Sequence, residues 1–106
     1  MKILALDDDQ LFLDSLKRML NVLGHEVDCA EAAPDAIDML SSTKYDFILV
    51  DYKMPEKDGI WFMKNATIPK STKALLMTAY LNREVINQMM SLGACGYVVK
   101  PFEKDE

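Results

Sequence analysis

Long apolar runs are missing from this chain. No stretch of its 106 residues approaches the roughly 20 needed to cross a bilayer, which predicts no membrane insertion. The first residues, MKILALDDD, turn acidic too soon for a secretory signal. Cysteine is scarce: Cys29 and Cys95 fit neither a disulfide framework nor a metal-ligand spacing. They read as small buried or half-buried apolar residues in a reducing compartment, by default the cytoplasm. Basic charge is short as well, with 12 Lys and Arg against 17 Asp and Glu and a formal net charge of -5. The absence of a basic run or stripe argues against general affinity for nucleic acid or anionic membranes. The one histidine, His25, reads as a strand-start residue rather than a phosphoacceptor. No repeat, low-complexity segment or linker interrupts the chain, so residues 1–106 are expected to form one domain around one core.

What is there centres on Tyr45 to Gly59, YDFILVDYKMPEKDG. Phe47, Ile48, Leu49 and Val50 form an apolar, β-favouring run of the kind found in a strand buried on both faces. The run stops at Asp51, and Pro55 with Asp58-Gly59 marks a turn into a helix. Earlier, Lys2 to Leu6 reads as a strand ending in Asp7, Asp8 and Asp9. A helix follows, with Phe12, Leu16, Met19, Leu20 and Leu23 at helical spacing and Gly24 to end it. His25 to Cys29 is a weak edge strand, and Pro34 opens a helix with Ala33, Ile37 and Leu40 on its apolar face. Past the centre, Asp58 caps Ile60–Asn65, and Lys73 to Met77 is a strand ending in Thr78. Asn82 caps a helix with Val85, Ile86, Met89 and Met90 inward, Gly93 ends it, and Ala94–Val99 runs into Lys100-Pro101. Five strands alternating with helices predict a doubly wound parallel α/β sheet.

In such a sheet the strands' carboxyl ends share one edge, where open α/β sheets bind ligands. Asp7 and Asp8, Asp51, Thr78 and Lys100 all fall there. Three neighbouring carboxylates repel one another unless a cation or protons intervene. An all-oxygen set suits Mg²⁺, with carboxylates and a phosphoryl oxygen as ligands. A lysine and a hydroxyl at the same rim would pair with, and donate to, a phosphoryl group on one carboxylate. The residues therefore predict Mg²⁺-dependent phosphoryl transfer to an aspartate.

With ILALDDD, YDFILVDYKMPEKDG, LLMTAY and GACGYVVKPF in this order and at these separations, the chain resembles the receiver domains of two-component response regulators along essentially its whole length. The resemblance implies a flavodoxin-like sheet of order 2-1-3-4-5. It implies that Asp51 accepts a phosphoryl group from a histidine kinase or a phosphotransfer protein. Asp7, Asp8, Asp51 and the backbone carbonyl of Lys53 would hold Mg²⁺, and Thr78 and Lys100 would bind the phosphoryl oxygens. Tyr97 would be the aromatic whose rotamer reports the switch with Thr78; core packing with a wet hydroxyl explains it equally well. The Lys100–Pro101 bond is expected to be cis. Lys53 and Tyr80, two positions beyond Asp51 and Thr78, are expected to screen the phosphoryl group from water. Asp9 is expected only to cap the first helix.

Two other readings compete. A haloacid-dehalogenase-like phosphohydrolase would use Asp7 and Asp9, but it needs a later acidic pair, and only the tail Glu103–Glu106 follows Lys100. A flavodoxin-like nucleotide-binding module would want a Gly- or Ser/Thr-rich phosphate loop where three aspartates stand. The tail after Pro101 is also too short for an average helix, so a fifth helix is expected to be absent or truncated. The apolar face of strands three to five and the flank of the first helix would then lie open. Either the chain is part of a longer regulator or a second copy covers the face, and both can hold at once; a homodimer burying that face, or an exchange of elements between chains, is expected.

Overall fold

Runs of β-favouring residues alternate with helically spaced ones from Lys2 onward, and the chain folds by that rhythm. The computed structural model describes residues 1–79 and 82–100. In order come β1 (Lys2–Leu6), α1 (Gln10–Val22), β2 (Glu26–Ala30), α2 (Ala33–Ser42), β3 (Phe47–Asp51), α3 (Gly59–Asn65), β4 (Lys73–Thr78), α4 (Arg83–Ser91) and β5 (Gly96–Val99). The strands form one parallel sheet of order β2-β1-β3-β4-β5. The weak second strand is an edge, as its alternating acids predict. None of the helices among the described residues is long and apolar enough to cross a membrane.

Side-chain alternation along the strands builds two cores, one on each face. On one face Leu4, Leu6, Ile48, Val50, Ala74 and Leu76 meet Ala33 and Ala36 of α2, Phe62 of α3 and Met89 of α4. On the other, Ile3, Ala5, Val27 and Met77 meet Phe12, Leu13 and Leu16 of α1, with Leu20 and half-buried Cys29 at the margin, whereas Cys95, expected to be at least half-buried, is exposed. The predicted α1 stripe is therefore corrected. Leu13 replaces Met19 and Leu23 in the core, and those two are 46% and 67% exposed. Val98 is 43% exposed, whereas Phe47 and Leu49 are half-buried against this second core. Met90, expected inward, is exposed: α4 turns Met89 into the core, and the next residue on a helix points about 100° away.

The amino ends of the strands are tied together. The Asp46 amide donates to the Lys2 carbonyl (2.8 Å), and the Lys73 amide donates to the Asp46 carbonyl (3.0 Å). The Lys2 amide donates to the Asp46 carboxylate (2.8 Å). Buried Tyr45 gives its hydroxyl hydrogen to Asp28 Oδ2, while its carbonyl accepts from the Thr72 hydroxyl, both at 2.6 Å. Burial, then the hydrogen bond to Asp28, pushes the Tyr45 phenol up to about 12.

Helix ends follow the caps read from the sequence. Asp58 Oδ1 accepts from the Trp61 amide (2.9 Å), and Asn82 Oδ1 accepts from the amides of Glu84 and Val85. Gly24 and Gly93 close α1 and α4 at φ of 93° and 116°. The Lys100–Pro101 peptide bond, the tail that would carry a fifth helix, and Tyr80 lie outside the described residues.

Candidate functional site

The turn after β3 carries Asp51 into the site. Gly59 packs so tightly under it that a Cβ there would stand 2.5 Å from the Asp51 carbonyl oxygen. No larger residue fits without moving that strand end, which is the physical reason for the Asp58-Gly59 pair. The Gly59 amide donates to the Tyr52 carbonyl (3.0 Å) and closes the loop. Within the loop, Glu56 adopts φ of 65°, and the Lys57 amide donates to the Pro55 carbonyl (2.8 Å). That conformation is rare for a residue with a side chain.

β1 delivers Asp7 and Asp8 to the same edge. Asp7, Asp8 and Asp51 each offer a carboxylate oxygen within 4.8 Å of the others, Asp8 exposed and the other two buried. Lys100 arrives from the end of β5, its amide bonded to the Thr78 carbonyl (2.8 Å). Its ammonium lies 2.6 Å from Asp7 Oδ2 and 3.3 Å from Asp51 Oδ1. Thr78, at the tip of β4, is 7% exposed. A cavity of about 570 Å³ opens over these tips; Asp7, Asp8, Asp51, Lys53, Thr78 and Lys100 line it, together with Asp9, Tyr52, Ala79, Asn82 and Val85.

Electrostatics mark Asp51 as unusual. Burial, then the charge of Asp7, raises its carboxyl to about 6 in spite of Lys100. Burial also raises Asp7, against the hydrogen bond from Lys100. For Lys100, burial works against the ammonium, but Asp7 and Asp51 outweigh it and raise its pKa. Three carboxylates and one ammonium leave an excess of negative charge in a half-desolvated cleft. A divalent cation with oxygen ligands would neutralise it, so the donor set fits Mg²⁺.

Every predicted site residue except one converges here. Tyr97 instead points away, 49% exposed, beside a separate recess lined by Arg83, Ile86 and Asn87. Asp9 caps α1, its Oδ1 accepting from the Phe12 amide (3.1 Å). The sequence reading missed Phe12 as a site neighbour: the Lys100 ammonium sits 4.5 Å from its ring centroid. Helical periodicity marked Phe12 only as core, and no local pattern pairs a helix aromatic with a lysine at the far end of the chain.

A family model described as the response regulator receiver domain matches residues 3–106. Among curated proteins, the chain is 34% identical over 107 residues to the transcriptional regulatory protein CrdR of Helicobacter pylori, covering 99% of this chain and 50% of that one. It thus spans half of that relative's length. It is 32% identical over 106 residues to sporulation initiation phosphotransferase F of Bacillus subtilis, covering 99% of this chain and 86% of that one. Among solved structures, chemotaxis protein CheY4 of Vibrio cholerae superposes with a TM-score of 0.88 at 28% identity, over 96% of this chain and 88% of that one.

The chain belongs to the response regulator receiver family, a class of signalling domains with a flavodoxin-like fold. It is a receiver of phosphorelay signalling. Neither the phosphohydrolase nor the nucleotide-binding reading is supported. Asp9, which the hydrolase needs, uses its side chain as a helix cap.

Proposed function

We propose that Asp51 is the phosphoryl acceptor and that Asp7, Asp8 and the Lys53 carbonyl join it in holding Mg²⁺. The observation that carries this reading is the meeting of Asp7, Asp8, Asp51 and Lys100 at one sheet edge from three separate strands. An ionised Asp51 oxygen attacks the donor's phosphorus in line while the bond to the leaving group breaks. When bound, the metal supplies charge neutralisation between carboxylates and phosphoryl oxygens. Lys100 pairs with the phosphoryl charge and the Thr78 hydroxyl donates to an oxygen, which leaves β4 and β5 to sense the modification. Tyr97, on the outer side of β5, reads that shift by changing rotamer. Water later attacks phosphorus and releases phosphate, so transfer to and hydrolysis from Asp51 are the whole chemistry, with no turnover of a separate substrate.

The donor is a sensor histidine kinase or a phosphotransfer protein in the cytoplasm. Residues 1–106 act as a single receiver domain, without direct contact to nucleic acid or membrane. A second copy of the chain covers the face formed by Phe47, Leu49 and Val98 with the flank of α1, where apolar side chains are part-exposed. Sedimentation equilibrium at micromolar concentration checks this; a clean monomer that binds no hydrophobic dye rejects it.

The main test is incubation with a small phosphodonor and Mg²⁺. One acid-labile phosphoryl group per chain, lost in Asp51→Asn, is the expected result. Continuous donor turnover, or uptake that survives Asp51→Asn, rules the reading out.

A further inference from the structure

We propose that Phe12 is a positioning residue whose ring face holds the Lys100 ammonium within reach of both Asp7 and Asp51. The nitrogen stands 4.5 Å from the ring centroid, inside the roughly 6 Å over which a ring's negative face attracts a cation. Both partners are nearly out of water, Phe12 at 6% and the Lys100 side chain at 9% exposed. Desolvation is the condition under which this attraction is strongest.

The ring is itself held in place. The Phe12 amide donates to Asp9 Oδ1 (3.1 Å), and the Asp9 amide donates to Asp7 Oδ1 (2.9 Å). Lys100 donates to Asp7 Oδ2 (2.6 Å), which closes a circuit through Asp7, Asp9, Phe12 and Lys100. Of Lys100's neighbours in that circuit, Asp7 is also a metal-ligand candidate, whereas a ring face cannot serve as a ligand to a hard cation. Once a cation or phosphoryl group draws Asp7 and Asp51 away, the ring still keeps the flexible lysine over the cleft. An aliphatic residue of equal bulk would pack as well but would hold no charge. That difference is the specific content of the proposal.

The test replaces Phe12 with its 3,4,5-trifluoro analogue, which weakens the ring's negative face and hardly alters its shape, alongside Phe12→Leu and Phe12→Tyr. In the metal-free, donor-free protein, the Lys100 ε-methylene protons are expected upfield by ring current in the wild type. Hydrogen exchange from the Lys100 ammonium is expected to quicken in the trifluoro and Leu variants, at unchanged thermal midpoint for the former. Rates of phosphoryl uptake should fall by roughly tenfold in both and return with Phe12→Tyr. This rate arm rests on Asp51 as acceptor. If the wild type takes up nothing, that reading fails, and the resonance and exchange data decide Phe12 alone. An unshifted ε-methylene, or wild-type exchange and uptake in the trifluoro variant, overturns the proposal.

Discussion

Lys100 bonds more closely to Asp7 than to Asp51, at 2.6 Å against 3.3 Å. The cation thus leans toward the carboxylate that is not the proposed acceptor. Asp51 keeps an oxygen facing the cavity, and its acidity is set by burial and by Asp7 more than by its lysine.

Added Mg²⁺ should stabilise the protein by mass action, by about 2.7 kcal/mol at one hundred times its dissociation constant. Asp8→Asn should abolish that response while leaving the metal-free protein equally or more stable, since one of three crowded carboxylates loses its charge. Thermal melts with and without Mg²⁺ check both. A full Mg²⁺ shift in the mutant contradicts the ligand assignment.

Stability without metal should fall as pH rises through about 6. Asp51 in the folded protein holds its proton to about 6, whereas in the unfolded chain it loses it near the ordinary 3.8. Between those values the folded state binds more protons, so this group's stabilisation is complete below the lower value and is lost above the upper one. Asp7, also raised by burial, acts in the same direction. Asp51→Asn should flatten the profile and add on the order of 2 kcal/mol at pH 7. Denaturant melts in chelator from pH 4 to pH 8 read this out, and an unchanged slope in the mutant counts against it.

Thr78→Ala should still accept a phosphoryl group while uncoupling acceptance from conformational change. The hydroxyl is placed to sense the modification, not to perform the displacement. Tyr97 reports the difference: its ring resonances should shift on phosphorylation of the wild type and stay put in the mutant. Equal shifts in both would remove Thr78 from the switch.

Lys53→Ala should speed loss of the phosphoryl group several-fold. Lys53 lines the cavity beside Asp51 with an exposed side chain, in position to obstruct attacking water. Timing phosphate release from purified phosphoprotein decides it, and an unchanged half-life eliminates the screening role.

The alternation of strands and helices, and the residues at the strand tips, were legible in the sequence because they depend on local signals; the order of the strands came only with the family resemblance. Each apolar run stops at a polar residue that must lie at a strand tip, and parallel winding gathers the tips at one edge. Caps such as Asp9, Asp58 and Asn82 were readable for the same reason: each acts within three residues of itself. Exposure on α1 and α4 was not so readable. Met19, Leu23 and Met90 carry the same apolar signature as their buried neighbours, and only the placement of each helix on the sheet separates them. The turn after Asp51 was signalled by Pro55 and Asp58-Gly59, but the positive φ at Glu56 was not, since glutamate is not a residue that usually announces one.

The ties among Lys2, Tyr45, Asp46 and Thr72 lie at the end of the sheet away from the carboxylates. They divide the molecule into a fixed root and a compliant crown. Local opening there must break several hydrogen bonds at once, the Thr72–Tyr45 bond among them buried, so the Asp46 and Lys73 amides should exchange more slowly than those of the loops at the other end. A charge change at Asp51 is thus spent on moving strand tips and the loops above them, with the root as a fulcrum.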